Sequence, residues 1–392
     1  MSELMQRADA LDADDPLASW LDEFVVPDPD LVYLDGNSLG RTPRRTIEAL
    51  AEVVEHQWAG VLIESWWEHD WLDLPLIVGD ELAPLIGARA GEVVVHESTT
   101  VCLFQLVNVA LDLRDDRSAP AVIAVDDTEF PTDRYVVEGI ARLRSRSDSH
   151  VIVRAGTDDL DGVDVVVRSL VDYRSAVVAD IEAETERARR HGARVVWDLS
   201  HAAGVLPVHL DATGAELAAG CTYKFLNGGP GAPAFSYVRH ELHDQLTSPI
   251  QGWFGQADQF RMDDAWAPRA GIARLLNGTP PVLALAAARA GISVTADAGI
   301  HAIAAKARSL ATLAIDVAGE LGLSCDTEPP PRTSGGHVVV RHAEAKRLQP
   351  ALAERGVVLD EREPDVLRLG LSPLTTRHRD VVRALSTLAD LV

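Results

Sequence analysis

The sequence predicts an α/β fold built on a mainly parallel sheet, followed by a smaller α+β unit, and three observations carry that prediction. Short unbroken apolar runs alternate with amphipathic stretches from about residue 92 to 240. After Pro280-Pro281 the pattern changes to a long alanine-rich region, and a break at Glu328-Pro329-Pro330-Pro331 precedes two further β-rich runs. Strands covered on both faces read as continuous apolar runs, and helices between them form the covering layers of a parallel sheet.

Taken in chain order, the segment before residue 50 is loop-rich around Tyr33-Leu34-Asp35-Gly36-Asn37-Ser38-Leu39-Gly40. Strands are expected at 92–96, 121–126, 163–171, 194–198, 217–222 and 234–238, with helices at 101–113, 134–143 and 181–191. Residues 282–321 read as one long helical region, 336–341 and 366–369 as strands, and 343–355 and 376–391 as helices. The expected division is an N-terminal segment, 1–50, packing with the small domain, a large α/β domain, 51–280, and a small α+β domain, 281–392.

Composition narrows the function. With 47% hydrophobic and 24% charged residues the chain can bury a large core, and a net charge of −24 excludes a phosphate backbone as its natural partner. Cys102, Cys221 and Cys325 are widely separated and odd in number, so neither a disulfide framework nor a metal site is expected, and a reducing cytoplasm fits. No basic-then-apolar leader opens the chain and no run of about 18 apolar residues occurs, which predicts a soluble, unprocessed protein with no membrane partner.

Positive charge is nearly all arginine, and the three lysines are Lys224, Lys306 and Lys346. A guanidinium forms no Schiff base, so such a chain keeps lysine where a primary amine is needed. Lys306 and Lys346 lie in helical patterns and read as solvated side chains. Lys224 follows a short strand, in Cys221-Thr222-Tyr223-Lys224-Phe225-Leu226-Asn227-Gly228-Gly229-Pro230-Gly231.

Asp198 ends another strand, where an acid points to the ligand crevice outside the carboxyl ends of parallel strands. Alone it is as readily a helix cap. Together, an acid to keep a pyridinium protonated and a lysine to hold an aldehyde are what pyridoxal phosphate requires of a protein. Glu97-Ser98-Thr99-Thr100, between a strand and a helix, offers hydroxyls and amides for a dianion, or a plain N-cap. Phe130-Pro131-Thr132-Asp133 follows the strand 121–126, where an aromatic ring covers a flat cofactor or simply joins the core.

With these segments in place the chain resembles the pyridoxal-phosphate enzymes of fold type I, aminotransferase class V group, and within it the kynureninase family, from Tyr33 to about Leu388. The motifs that carry the resemblance in order are Tyr33 to Gly40, Trp58-Ala59-Gly60-Val61-Leu62-Ile63-Glu64-Ser65-Trp66, Asp198-Leu199-Ser200-His201-Ala202, Tyr223 to Asn227, Gly252-Trp253-Phe254-Gly255 and Gly278-Thr279-Pro280-Pro281. The resemblance implies a seven-stranded large sheet and pyridoxal phosphate held on Lys224, with Asp198 on the pyridine nitrogen. It implies Phe130 on the ring with Pro131, Thr132, Asp133, Ser169 and His201 around it, and Thr99, Thr100 and Tyr223 at the phosphate. Trp253 and Thr279 would reach in from a second subunit, so that a homodimer shares its active sites.

Arg368, in Val366-Leu367-Arg368-Leu369-Gly370, would bind the substrate α-carboxylate, with Asn37, Trp66 and His69 also at the substrate. Trp66-Trp67-Glu68-His69-Asp70-Trp71 looks like aryl-pocket wall. Cys102 and Thr375 depart from the family pattern, where asparagine and an aromatic are common. The implied reaction is hydrolysis of L-kynurenine or its 3-hydroxy form to the anthranilate and L-alanine in tryptophan catabolism, with Tyr223 a proton donor. The alternatives are a substituted kynurenine, or another class V activity such as a cysteine desulfurase or carbon-sulfur lyase with Cys325 as sulfur acceptor.

Overall fold

The computed structural model describes residues 2–115, 119–145, 150–262, 264–332 and 336–392. Its strands are β1 (Val32–Leu34), β2 (Val93–Val95), β3 (Ala121–Val125), β4 (Val151–Ala155), β5 (Val165–Ser169), β6 (Arg194–Asp198), β7 (Leu217–Gly220), β8 (Phe235–Val238), β9 (Ser324–Cys325), β10 (His337–Arg341), β11 (Val357–Arg362) and β12 (Val366–Gly370). A seven-stranded sheet has the order β2-β8-β7-β6-β5-β3-β4, and only β8 runs against its neighbours. The six runs expected between 92 and 238 are all strands here, each within the expected bounds.

Alternation along β5 and β6 shows why their apolar runs are unbroken. Val165, Val167 and Val196 face a core shared with Leu103 and Leu106 of helix Thr99–Asp112 and Val137 of helix Pro131–Arg144. Val166, Val195 and Trp197 face the opposite core, with Leu82 and Ile86 of helix Leu74–Ile86 and Ile292 of helix Val282–Ala298. Both faces are therefore covered, as a parallel sheet requires. The strand β4 is absent from the expected set: it lies at the sheet edge, its apolar run ends at Arg154, and Ile152 is exposed.

A five-stranded sheet has the order β1-β11-β12-β10-β9, antiparallel except where β1 lies parallel to β11. The segment before residue 50 thus contributes a strand to a sheet otherwise made from the last seventy residues. It also forms helix Ser2–Ala13, whose Leu4 and Ala8 pack with Val381 and Leu385 of helix His378–Ala389. Strand β11 escaped the sequence reading because Val357-Val358-Leu359 runs into Asp360-Glu361-Arg362, and charges of this kind read as loop.

Residues 282–321 are not one helix. Val282–Ala298 and Ile300–Glu320 meet at 82° about Gly299, whose φ of +82° is open to glycine and strained for other residues. The first helix sends Leu285 and Ile292 into the large-sheet core, and the second sends Leu310, Leu313 and Val317 into the small-sheet core. Among the described residues no single helix is long and apolar enough to cross a membrane.

Lys306 corrects the expectation of a solvated side chain. It is buried, and its Nζ lies 2.6 Å from Asp15 Oδ2, which is equally enclosed. The turn after the first helix folds over it, a covering from a distant part of the chain that local periodicity does not show. Lys346 is exposed and pairs with Glu363 at 2.7 Å.

Candidate active site

The carboxyl ends of β3, β5, β6 and β7 share one edge of the large sheet, and the loops that leave them surround a cavity of about 240 Å³. Of the residues singled out by sequence, Asn37, Thr99, Thr100, Phe130, Thr132, Asp133, Asp198, His201, Tyr223, Lys224 and Arg368 line it, together with Ser38, Ser200 and Arg362, which sequence reasoning did not assign. Nothing in the pattern around Arg362 marks it, whereas Ser200 stands two places after Asp198 and was legible as a partner for it.

The threonines sit in the first turn of helix Thr99–Asp112, but the cap is Ser98, whose Oγ accepts from Val101 N–H at 3.4 Å. Thr99 and Thr100 are left facing the cavity beside the positive end of a fourteen-residue helix, an arrangement suited to a phosphate dianion.

Across the cavity, Asp198 is buried at the end of β6, and Ser200 donates to its Oδ1 from both backbone N–H (2.8 Å) and Oγ (2.6 Å). Burial pushes its carboxyl up, and the Ser200 hydroxyl and Lys224 pull it back. Asp133 is buried beside it and is pushed well up by burial and then by the charges of Asp198 and Glu129. Glu129 is raised by burial too, and its Oε1 accepts the Ser169 N–H at 3.1 Å. One oxygen of Asp133, Oδ2, has no hydrogen-bond partner. Three enclosed carboxylates with an orphaned oxygen favour a guest that brings positive charge, and the protonated ring nitrogen of pyridoxal phosphate fits that requirement.

Lys224 is buried, with Nζ 3.2 Å from His201 Nε2. Burial first, and the nearby cation second, depress His201 well below the usual imidazole range, so the ring is neutral and accepts from the amine. His337 packs against it with ring centroids 5.7 Å apart and is fully buried. The Tyr223 phenol is pushed up by burial, then by Cys221, and stays protonated as a donor at neutral pH. Gly40 seats the N-terminal motif on this loop: its N–H donates to Tyr223 O at 2.9 Å, and a Cβ there would lie 2.4 Å from Lys224 O.

Arg368 is fully buried on β12. Its Nε and Nη2 close on the two carboxylate oxygens of Asp360, with Nε to Oδ1 at 2.8 Å, and Nη1 donates to Tyr173 O at 2.8 Å. With its amide oxygen turned to the guanidinium, Asn37 accepts from Nη2 and Nε at 3.2 and 3.3 Å. The Tyr173 ring meets Phe130, which lines the cavity, edge-on at 5.2 Å.

The remaining sequence candidates lie elsewhere. Pro131 opens a helix, and Ser169 pairs with Asp198 in the sheet without reaching the cavity wall. Trp253 and Thr279 are exposed. Trp66 packs edge-on against Trp71 at 5.5 Å and near Phe254 at 6.2 Å, while His69 lines a separate crevice with Trp71, Arg45 and Arg289. Cys325 is on edge strand β9, paired with Val340, away from the cavity.

Comparison with known proteins places this geometry. A cysteine desulfurase from Thermococcus onnurineus NA1 superposes with a TM-score of 0.78 at 18% identity, covering 98% of each chain. A mutant of C-DES with glycine covalently linked to its pyridoxal-phosphate cofactor gives 0.79 at 17%, covering 93% of this chain and all of that one. These likenesses establish the fold. Residues 303–388 match the kynureninase C-terminal domain. A kynureninase from Deinococcus radiodurans is 42% identical over 98% of this chain and 95% of its own length, and one from Pseudomonas fluorescens is 38% identical over 98% and 94%. With that identity sustained from end to end over a cavity holding Lys224, Asp198 and Arg368, the chain belongs to the kynureninase family.

Proposed function

We propose that this protein is a pyridoxal-phosphate-dependent hydrolase that cleaves the Cβ–Cγ bond of L-kynurenine, or its 3-hydroxy form, to release anthranilate or 3-hydroxyanthranilate and L-alanine. The observation that carries the reading is the convergence of Lys224, Asp198 and Arg368 on one cavity in a chain of this family. When bound, the cofactor supplies an electron sink for the pair left at Cα.

The chain's own residues do the rest. Lys224 would anchor the aldehyde and, as a free amine, would take and return the substrate's Cα proton from a position where neutral His201 accepts its N–H. Asp198, oriented by Ser200, holds the ring-nitrogen proton. Thr99, Thr100 and Tyr223 bind the phosphate, Phe130 covers the ring beside Thr132 and Asp133, and Arg368 with Asn37 takes the α-carboxylate. Tyr223, kept protonated by its burial, would donate a proton to Cβ as the Cβ–Cγ bond breaks, while water adds at Cγ and leaves as part of the anthranilate carboxylate.

A homodimer completes the site. Trp253 and Thr279 are exposed on one chain, and Trp58, Leu62, Ile63, Phe260 and Met262 add large apolar surface that favours a covering subunit. The substrate places the enzyme in tryptophan catabolism by the kynurenine route. The desulfurase alternative is disfavoured by the placement of Cys325 on an edge strand, off the cavity wall.

The test is incubation of the purified protein with pyridoxal phosphate and each kynurenine while anthranilate fluorescence is followed. Release from either is the expected result, and its absence with both would move the assignment to a substituted kynurenine. Lys224→Ala is expected to lose both turnover and the visible absorbance of the lysine-linked cofactor.

A further inference from the structure

The carboxylate clamp built on Arg368 is already half closed by the protein itself. A guanidinium offers two edges to a carboxylate. The Nε/Nη2 edge of Arg368 is taken by Asp360 through both oxygens. An incoming carboxylate can meet only the Nη1/Nη2 edge, where Tyr173 O already engages Nη1 at 2.8 Å. The charge of Arg368 is also answered: Asp360 lies against it, and Asp35 is close enough to feel the charges of Asp360, Arg368 and Arg362. One arginine facing two carboxylates is a poor receptor for a third.

Arg362 changes that balance. It is the last residue of β11, two places after Asp360, so both side chains leave the same face of the strand. Its Nη2 lies 2.9 Å from Asp360 Oδ2 and its Nη1 donates to Glu361 O at 2.7 Å. It lines the cavity with Arg368, Asn37 and Ser38. The side chain of Arg362 is 37% exposed, against 2% for Arg368 and 12% for Asp360. A buried, fixed guanidinium and a solvent-facing one are thus bridged by a single carboxylate at the cavity rim.

We propose that Arg362 is a second binding residue for the substrate α-carboxylate: it supplies the second cation that balances the carboxylates around Arg368, and solvent-facing N–H donors beyond those Arg368 keeps after engaging Asp360 and Tyr173. This rests on the kynurenine-cleaving reading given above. Arg368 fixes where the carboxylate sits, and Arg362 closes on its outer oxygen from the solvent side. The ligand class is an α-amino acid with a free carboxylate; an amide at that position forfeits the contact.

The experiment compares wild-type holoenzyme with Arg362→Gln and Arg362→Lys. For Arg362→Gln the KM for L-kynurenine is expected to rise about tenfold to a hundredfold, the scale of a hydrogen bond to a charged group, with kcat within about threefold of wild type. Inhibition by L-alanine is expected to weaken by the same factor while inhibition by L-alaninamide is unchanged, and Arg362→Lys recovers part of the loss. Unchanged visible absorbance shows that the cofactor site is intact, and if Arg362→Gln fails to fold, Arg362→Lys carries the comparison. A KM within twofold of wild type, or equal weakening of L-alanine and L-alaninamide, would overturn the inference. Wild-type release of anthranilate is read separately, so a failure of the kynurenine reading is distinguishable from a failure of this one.

Discussion

Asp198 has its carboxylate tied down by two Ser200 donors and its charge resisted by burial, which is how a side chain is held ready for one cationic partner. Asp198→Asn keeps the shape and removes the charge, and kcat is expected to fall about a hundredfold or more in steady-state assays, with anthranilate as the readout. Asp35 makes a different prediction. Burial, aided by Asp360, pushes its carboxyl up to about 6, above its unfolded value. A raised folded pKa means that the stabilising, protonated form is fully populated below the unfolded pKa and lost as pH rises through the folded one. Asp35→Asn is therefore expected to raise the thermal midpoint at pH 8 and to make no difference near pH 4; a gain of equal size at both would contradict the assignment. At this scale Lys224 and Asp198 were legible as cavity residues because each follows or ends a strand in its own short motif. Arg362 and Asp360 were not, because their meaning depends on β12 lying beside β11, which neither segment announces.

Among the elements, those with unbroken apolar runs were readable and those cut short by charge were not. β5 and β6 are buried on both faces, so each residue reports its environment, whereas β11 passes from core to cavity within six residues and its second half looks like surface. The bend at Gly299 was hidden for the opposite reason: alanine-rich sequence favours helix on both sides, and only a backbone open to glycine interrupts it. Gly299→Ala places a Cβ on a residue at φ +82°, with no neighbouring atom in the way. The expected cost is about 1–3 kcal/mol, set by the backbone alone, and chemical denaturation would measure it. No loss would show that the two helices can straighten.

For the molecule as a whole, the N-terminal segment is the tie between parts. Its first helix packs on the last, Asp12 accepts from the His378 ring Nδ1 at 2.9 Å, Asp15 meets buried Lys306, and Gly40 rests on the lysine loop. Lys306→Ala would leave Asp15 enclosed without its cation, and a loss of about 3–5 kcal/mol in urea unfolding is expected. A loss below about 1 kcal/mol would show that water replaces the ion pair. None of these links could be read locally, since each joins residues far apart in the chain, and the same distance explains why the loop-rich reading of the first fifty residues missed the helix Ser2–Ala13 and the strand β1.

The parallel pairing of Val32 with Val357 has a consequence for biosynthesis. On a ribosome adding about 5–20 residues per second, the first strand emerges and then waits on the order of half a minute for its neighbour. Throughout that interval Asn37 has no Arg368 to meet, although the lysine loop on which Gly40 rests has already been made. The large sheet can close once β8 is made, but Asn37 meets Arg368 only when the final stretch of chain has left the exit tunnel, so an unfinished polypeptide lacks the seat proposed for the amino acid's carboxylate.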